Sequence, residues 1–266
     1  MISSQKEVFQ DIYRRIHQQG HIVDSRSSGL SPKVIEVENF NYVLPPYVRF
    51  PSFAPRNLSI SYIKEEFKWY LKGDLYDLSI CDKAAIWKSI VYQDKLNSNY
   101  GYYAFQREGG FSWCLDELAR EKYSRRAYIT ILDHTHLVPE TKDVPCTECL
   151  GFRIRDNHLN MSVRMRSQDM IYGFGNDAPA FSFIHEMIYN ALLLVYPDLQ
   201  LGEYHHVADS AHIYEKHWNL LEKLVDSDVE FNEVEVPRIS GPMEVVGLVT
   251  GRYGMSNLPF SKWLVS

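Results

Sequence analysis

A long stretch with very few polar positions, from Pro179 to Val195, constrains the fold more than any other feature of this sequence. Its length and composition are typical of an α-helix, and Pro197 closes it. A helix with so little polar surface must be buried on most sides, so other elements have to surround it. Its longest fully apolar run, Ala191 to Tyr196, is too short to span a bilayer. The sequence therefore predicts a central, buried helix.

Segments in which polar and apolar residues alternate predict a sheet around this helix. In the clearest case, Leu159 to Arg166, every second side chain is apolar, and Asp156-Asn157 before it suits a hairpin turn. Strands are predicted over residues 33–42, 127–132, 150–155, 159–166 and 201–207. Helices are predicted over residues 6–18, 62–72, 83–92, 113–123, 179–195 and 211–224. Because the two types mix without regular βαβ alternation, we predict an α+β fold, a mixed β-sheet packed with helices, in a single domain over 1–266.

The composition is that of an ordinary globular protein, with 45% apolar and 23% charged residues among 266. A net charge of −6 creates no field that would draw the chain onto a polyanion, so we expect no nucleic-acid partner. Residues 1–6 lack the apolar core of a secretory signal, and four cysteines are too few for a disulfide framework. We therefore expect a cytoplasmic protein with free thiols and no membrane partner.

Glu66 interrupts the pattern of the helix predicted over 62–72. On a helical wheel it falls inside the apolar arc, three residues from Ile63 and four from Tyr70. A buried carboxylate is costly unless it is hydrogen-bonded or has a catalytic task. Two interpretations remain open: a functional carboxyl group, or a side chain at the edge of the arc that reaches water.

Two arginines lie on the polar face of the predicted strand 159–166. Arg164 and Arg166 alternate with apolar residues there, and Ser167 and Asp169 follow closely. Guanidinium groups in this arrangement would form a seat for an anion such as phosphate. The alternative is a solvated outer face of the sheet.

The segment from Cys146 to Cys149 matches a C-x-x-C pattern. A redox dithiol would be followed by a helix, whereas a strand is predicted here, and zinc would need two further ligands at a recognised spacing. A single nucleophilic cysteine after Pro145 is the better functional interpretation, and a plain buried thiol is the alternative. Asp177 lies just before the predicted helix 179–195, and the N-cap of that helix is a strong interpretation of it.

Six short segments, taken in order, resemble the thymidylate synthase superfamily over about residues 26–217. They are Glu66 to Asp74, Asn99-Tyr100-Gly101, Ser124-Arg125-Arg126, Pro145-Cys146, Arg166 to Gly173, and His212-Ile213-Tyr214. Where the chain departs from the synthases, with Thr147 after the cysteine and Gly175-Asn176-Asp177, it resembles the bacteriophage deoxycytidylate hydroxymethylases. The resemblance implies a thymidylate synthase-like fold and a homodimer joined through sheet faces.

This resemblance also implies a reaction. A one-carbon unit from 5,10-methylenetetrahydrofolate is transferred to carbon 5 of dCMP and water is added, giving 5-hydroxymethyl-dCMP and tetrahydrofolate, without a metal. Cys146 would add to carbon 6 of the ring, with Arg166 lowering its pKa, and Glu66 would organise the water. Tyr100 and Asp177 complete the implied catalytic set.

Binding roles follow from the same resemblance. The nucleotide phosphate is assigned to Arg26, Arg166 and Ser167 of one subunit and to Arg125 and Arg126 of the other. The sugar hydroxyl is assigned to His212 and Tyr214. The pterin and folate contacts are assigned to Trp87, Asp169, Tyr172 and Gly173.

Base choice is assigned to Asp177, because a carboxylate accepts a hydrogen bond from the amino group of cytosine and repels the carbonyl of uracil. To satisfy the ring nitrogen of cytosine as well, that nitrogen or Asp177 must carry a proton, which burial would favour. Three alternatives remain: a thymidylate synthase that methylates dUMP, a CMP 5-hydroxymethylase of nucleoside-antibiotic biosynthesis, and a non-catalytic nucleotide-binding paralogue.

Overall fold

The computed structural model describes residues 4–24, 33–107 and 110–266. The strands are β1 (His21–Asp24), β2 (Lys33–Leu44), β3 (Tyr128–Thr130), β4 (Thr147–Arg155), β5 (His158–Met165), β6 (Gln168–Asp169) and β7 (Gln200–Tyr214). The α-helices are α1 (Gln5–Gln19), α2 (Ile60–Lys72), α3 (Ala85–Ile90), α4 (Phe111–Arg120), α5 (Tyr172–Leu192), α6 (Trp218–Val225), α7 (Pro242–Val249) and α8 (Pro259–Val265). No helix within these described ranges is long and apolar enough to cross a membrane.

A mixed sheet with the strand order β1-β2-β7-β5-β4-β3 organises the molecule. Its centre is β7, which pairs antiparallel with β2 along one edge and parallel with β5 and then β6 along the other. The turn at Asp156-Asn157 joins β4 to β5, and both residues have positive φ, as a type I′ hairpin requires. The predicted hairpin and the predicted mixed α+β fold are confirmed.

The apolar stretch forms α5, which runs through the core. Phe181, Phe183 and Ile184 are fully buried, and both Phe67 of α2 and Phe260 of α8 pack edge-on against Phe183, with ring centroids 5.0 Å away. The opposite face of the sheet is more open, because the residues that alternate with the core positions of β5 are partly or fully exposed. The helices of this chain therefore cover one face of the sheet.

The predicted start of α5 at Pro179 is wrong, since the helix already begins at Tyr172. The Asp169 carboxylate accepts the backbone N–H groups of Ile171 and Tyr172, at 2.8 and 3.4 Å, and so satisfies the first donors of the chain entering the helix. Pro179 lies inside the helix, where it removes one backbone hydrogen bond.

The helix predicted over 211–224 is also wrong in its first part. Residues up to Tyr214 belong to β7, where Ile213 pairs with Ile35 of β2, and α6 begins only at Trp218. Pairing on both edges of this strand outweighs a helical pattern in the sequence. Predicted helix 83–92 is shorter, as Ala85–Ile90, and predicted helix 113–123 is shifted, as Phe111–Arg120.

Two helices that the sequence analysis did not predict, α7 and α8, form the C-terminal part of the fold. Glu244 of α7 is fully buried, and its carboxylate accepts hydrogen bonds from the backbone of Ser240 at 2.7 Å and of Ser261 at 2.7 Å. These bonds join the start of α7 to α8, and α8 in turn packs on α2.

Candidate active site

Cys146 lies directly before β4, where the neighbouring segment holds its backbone and side chain in place. Its carbonyl oxygen accepts the backbone N–H of Arg166 at 2.9 Å. The Arg166 guanidinium donates to the carbonyls of Val144 at 2.8 Å and Pro145 at 3.1 Å, and its Nη2 lies 3.6 Å from the Cys146 sulfur. The arginine is thus fixed against the loop that presents the thiol.

Several neighbouring groups shift the pKa of the Cys146 thiol in opposite directions. Arg166 lowers the pKa of Cys146, as the resemblance implies, but burial raises it more strongly, and Asp177 and Asp143 raise it further. The net shift of the thiol pKa is upward, although Arg166 itself lowers this pKa as expected. Because the buried environment disfavours any charge, the thiolate needs additional stabilisation before it can attack.

The second cysteine of the C-x-x-C segment lies in a different environment. Cys149 is part of β4, opposite Arg164 of β5, and burial raises the pKa of its thiol. Both cysteines are free thiols. In the part of the chain that the structure describes, no group of three or more His, Cys, Asp and Glu side chains could hold a metal ion.

The Glu66 carboxyl is buried rather than at the edge of its helix. Its residue is only 5% exposed, so the interpretation in which it reaches water is wrong. Burial, reinforced by the charge of Asp177, raises the pKa of Glu66 to about 8. The Tyr62 hydroxyl donates to Glu66 Oε1 at 3.1 Å and opposes part of this rise in pKa.

Asp177 lies in the second turn of α5 and not before the helix, so the N-cap interpretation is wrong. The residue keeps some accessible surface, yet enough protein surrounds its carboxyl that burial raises its pKa to about 7. Gln168 lies close enough to lower this pKa in part, and its Oε1 accepts the hydroxyl of Tyr42 at 3.3 Å. Asp177 can therefore exchange a proton near neutral pH.

Tyr100 lies close enough to Cys146 and Asp177 to interact with both electrostatically. Its ring stacks between Tyr70 and Phe181, with centroid distances of 5.6 and 5.9 Å. Burial raises the pKa of its hydroxyl, and the charges of Cys146 and Asp177 raise it further. The structure thus brings the four predicted catalytic residues together although they come from four distant parts of the chain.

The two arginines of the predicted anion seat are separated. Arg164 points to the outer side of the sheet, where it forms ion pairs with Glu148 at 3.1 Å and Asp209 at 2.6 Å. Only Arg166 contacts the cysteine, and Ser167, half-buried, follows it between β5 and β6. A seat built from both arginines is therefore wrong.

The remaining phosphate candidates lie elsewhere. Arg125 and Arg126 are exposed and stand just before β3. Arg126 donates to Glu117 Oε1 at 2.8 Å and Oε2 at 3.1 Å, and within the described ranges no contact joins it to Cys146 or Arg166. Arg26 lies outside the described residues.

The predicted sugar and folate residues gather where β6, β7 and α5 meet. Asp169 pairs in register with His212, whose ring stands perpendicular to that of Tyr214 at 5.0 Å. Tyr172, half exposed, and Gly173 open α5 beside Asp169, and a side chain at Gly173 would lie 3.5 Å from Asp177 Oδ2. Trp87 lies apart from this group, where its indole N–H donates to the Tyr62 hydroxyl at 2.7 Å.

Sequence reasoning missed Tyr62, Gln168 and Tyr42, which contact the candidate catalytic carboxyl groups or their neighbours. Tyr62 lies four residues before Glu66 in a helix, so an i,i+4 pair would have revealed it. Gln168 and Tyr42 meet through sheet pairing that no local pattern in the sequence reports.

Comparison with known proteins identifies the fold. Residues 7–240 match the family model described as thymidylate synthase.

The chain belongs to the thymidylate synthase family.

Several phage proteins of this family resemble the chain. It is 27% identical over 175 residues to the deoxycytidylate 5-hydroxymethyltransferases of Enterobacteria phages T6 and T4, which covers 62% of this chain and 71% of each relative. It is 30% identical over 129 residues to the deoxyuridylate hydroxymethyltransferase of Delftia phage PhiW-14, which covers 44% of this chain and 35% of that relative. The predicted family and its fold are confirmed, and α7 and α8 extend beyond the matched residues.

Proposed function

We propose that this thymidylate synthase family member transfers a one-carbon unit from 5,10-methylenetetrahydrofolate to carbon 5 of dCMP and adds water, releasing 5-hydroxymethyl-dCMP and tetrahydrofolate. The observation that carries the proposal is the common location of a nucleophilic thiol and two buried carboxyl groups whose pKa values are raised to about 8 and about 7. The names of the phage T6 and T4 relatives agree with it.

Cys146 supplies the nucleophile. Carbon 5 of cytosine is a weak nucleophile, and a thiolate that adds at carbon 6 makes it electron-rich enough to accept the one-carbon unit. Arg166, 3.6 Å from the sulfur, favours the thiolate at the moment of attack. The phosphate of the bound nucleotide lies, in this proposal, near Arg166 and Ser167.

Asp177 reads the base. At its raised pKa it can hold a proton, and a neutral carboxyl group can donate to the ring nitrogen of cytosine while it accepts from the exocyclic amino group. The half-buried position next to Gly173 leaves part of its surface accessible to a ligand. Asp169, Tyr172 and Gly173 border the same space and are proposed to hold the folate; His212 and Tyr214 are proposed to hold the sugar hydroxyl.

The protein acts as a homodimer in this proposal. The sheet face that the helices leave open supports association through that face, and the exposure of Arg125 and Arg126 is consistent with a role in the partner's site. A reducing, cytoplasmic location is part of the proposal, since such a compartment keeps thiols free.

One experiment separates the candidate functions. The protein is incubated with 5,10-methylenetetrahydrofolate and dCMP, CMP or dUMP, and product masses and dihydrofolate are measured. We expect 5-hydroxymethyl-dCMP without dihydrofolate, because water and not hydride completes the reaction. Stoichiometric dihydrofolate from dUMP would support the alternative that the protein is a thymidylate synthase. A hydroxymethyl product from CMP would support the alternative that it acts on ribonucleotides.

Hydroxymethylation of dUMP is a second candidate, which the name of the Delftia phage PhiW-14 relative favours. It predicts 5-hydroxymethyl-dUMP as the main product in the same experiment. The ionised form of Asp177 favours dCMP over dUMP, because a carboxylate repels the carbonyl at carbon 4 of uracil.

A further inference from the structure

A short chain of hydrogen bonds leads from α3 to Glu66 on α2. The Trp87 indole N–H donates to the Tyr62 hydroxyl oxygen at 2.7 Å, and the Tyr62 hydroxyl donates to Glu66 Oε1 at 3.1 Å. Tyr62 and Trp87 are half-buried, and the Trp87 ring also packs on Trp69 at 5.2 Å. This series of hydrogen bonds is therefore held in place by packing next to Glu66.

The direction of these bonds follows from the chemistry of indole. An indole N–H can only donate, so the oxygen of Tyr62 is the acceptor in the first bond. The Tyr62 hydroxyl donates its proton to Oε1 of Glu66. A proton carried by the Glu66 carboxyl group therefore resides on the other oxygen, Oε2.

We propose that Tyr62, oriented by Trp87, is a positioning residue that makes Oε2 the only oxygen of Glu66 that carries and transfers a proton. This inference rests on the proposed function only for the step in which the proton is used. The hydrogen-bond geometry on which it is based is independent of the substrate.

In the proposed reaction the consequence is a defined proton path. Water attacks the exocyclic methylene carbon attached to carbon 5, and a carbon–oxygen bond forms. The electron pair of the exocyclic double bond moves to the bond between carbons 5 and 6, and the bond between carbon 6 and the Cys146 sulfur breaks. The thiolate leaves, and the proton lost by the water is taken by Oε2 of ionised Glu66, so atoms and charge balance.

Other groups also face Glu66 and affect its titration. Asp177 of α5 raises the pKa of Glu66 by its charge, and Tyr70, on the same helix as Glu66, interacts electrostatically with it. Tyr62 is the group whose hydrogen bond lowers that pKa. Removal of the Tyr62 hydroxyl should therefore shift the titration of Glu66 to higher pH, in the opposite direction to removal of the Asp177 charge.

The test follows the carboxyl group itself rather than turnover. Isotope-edited infrared spectra of the full-length protein with ¹³C-labelled glutamate are recorded between pH 5 and 10, and the Glu66 band is assigned by its loss in Glu66→Gln. We expect Tyr62→Phe to raise the apparent pKa of Glu66 by about one pH unit, the scale of one hydrogen bond to a charged group. Trp87→Phe should produce a smaller shift in the same direction, because Tyr62 loses its orienting donor.

Tyr196→Phe is the matched control. Its hydroxyl is also half-buried and donates to the backbone of Leu118 at 2.8 Å, but far along the chain from Glu66. It should leave the titration of Glu66 unchanged. An unchanged Glu66 titration in folded Tyr62→Phe would overturn the inference, and if that variant does not fold, an unchanged titration in Trp87→Phe would overturn it.

Turnover is measured separately with dCMP. If the wild type makes 5-hydroxymethyl-dCMP, Tyr62→Phe should slow its formation at least tenfold at pH 7 and move the rising limb of the pH profile upward. A wild type that makes no such product contradicts the proposed function, whereas the infrared result still decides the role of Tyr62.

Discussion

Cys146 and Cys149 lie close in sequence but only Cys146 contacts Arg166. We therefore expect Cys146→Ser to abolish release of tritium from carbon 5 of dCMP, since a hydroxyl group cannot replace the thiolate at this step, while nucleotide binding remains. Cys149→Ser should retain substantial activity, because its thiol lies in β4 opposite Arg164. Tritium release by each variant checks the assignment, and a larger loss in Cys149→Ser would refute it.

Asp177→Asn tests how the base is read. Asparagine can donate a hydrogen bond to the carbonyl of uracil. We therefore expect the ratio of the rate with dCMP to the rate with dUMP to fall about ten- to hundredfold, which corresponds to the free-energy cost of one unpaired buried polar group. Initial rates with both nucleotides measure the ratio. An unaltered ratio would show that Asp177 does not contact the base.

The affinity for dCMP should depend on pH through the same group. The pKa of Asp177 is raised to about 7, and the complex with cytosine needs a proton on the carboxyl group or on the ring nitrogen. Binding should therefore be tightest below pH 7 and weaken as pH rises above it. Calorimetric titrations at several pH values should show this decline in the wild type, and a much weaker one in Asp177→Asn.

The raised pKa of Glu66 makes the stability of the folded protein depend on pH. An acid with a pKa near 8 in the folded protein and near 4.5 in the unfolded chain keeps a proton that the unfolded chain has released, so stability falls as pH rises between these values. Glu66→Gln lacks this dependence and can still accept from Tyr62. We expect it to be more stable than the wild type at pH 8.5 by up to about 5 kcal/mol, at about 1.4 kcal/mol per pKa unit, and about equally stable near pH 4.5. Denaturant unfolding at both pH values measures the difference; a wild type that is the more stable at pH 8.5 would contradict the raised pKa.

At the scale of elements, the contact between the 99–101 turn and α2 positions Tyr100. A Cβ atom at Gly101 would lie 1.7 Å from the carbonyl oxygen of Tyr70, so the backbone would have to move. We expect Gly101→Ala to destabilise the protein by about 3 kcal/mol or more, at the upper end of overpacking effects. In contrast, Gly247→Ala in α7 meets no atom within 4 Å and should be neutral or gain up to about 1 kcal/mol. Denaturant unfolding compares the two, and equal stabilities would contradict the close packing.

The elements also show what the sequence can predict. The buried helix, the β4–β5 hairpin and the position of Glu66 on α2 follow from periodicity and turn chemistry, which act within a few residues. The start of α5 depends instead on the side chain of Asp169, and the length of β7 depends on pairing with β2, far away in the chain.

The proposed catalytic residues also differ in how much of their environment the sequence can predict. The motifs identify Cys146 and Glu66, but the direction of the pKa shift of each depends on burial and on Asp177, which only the folded chain brings near. Arg164 and Arg166 are equivalent in the alternating pattern. In the structure a bulge lies near the start of β4, and β5 ends before Arg166, so Arg164 pairs with Asp209 whereas Arg166 lies next to Cys146.

At the scale of the whole molecule, the proposed dimer predicts complementation. Arg126→Ala should lose activity because the partner's site lacks a phosphate ligand, and Cys146→Ser because its own site lacks the nucleophile. Mixed subunits should form heterodimers in which one of the two sites has both groups, so activity should return to about a quarter of the wild-type level, since half of the dimers are then mixed. Subunit exchange is verified by mass spectrometry of a tagged chain. No recovery despite exchange would contradict shared sites.

The central place of β7 in the sheet has a consequence during synthesis on the ribosome. Leu44 of β2 pairs with Tyr204, which is added about 160 residues later. At a translation rate of about 5–20 residues per second, β2 waits roughly 10 to 30 s before this partner exists. During that interval β1 can cover only one of its edges. The nascent chain therefore exposes an unpaired strand edge until most of the protein has been made, and cellular chaperones that bind extended segments would find their target in β2.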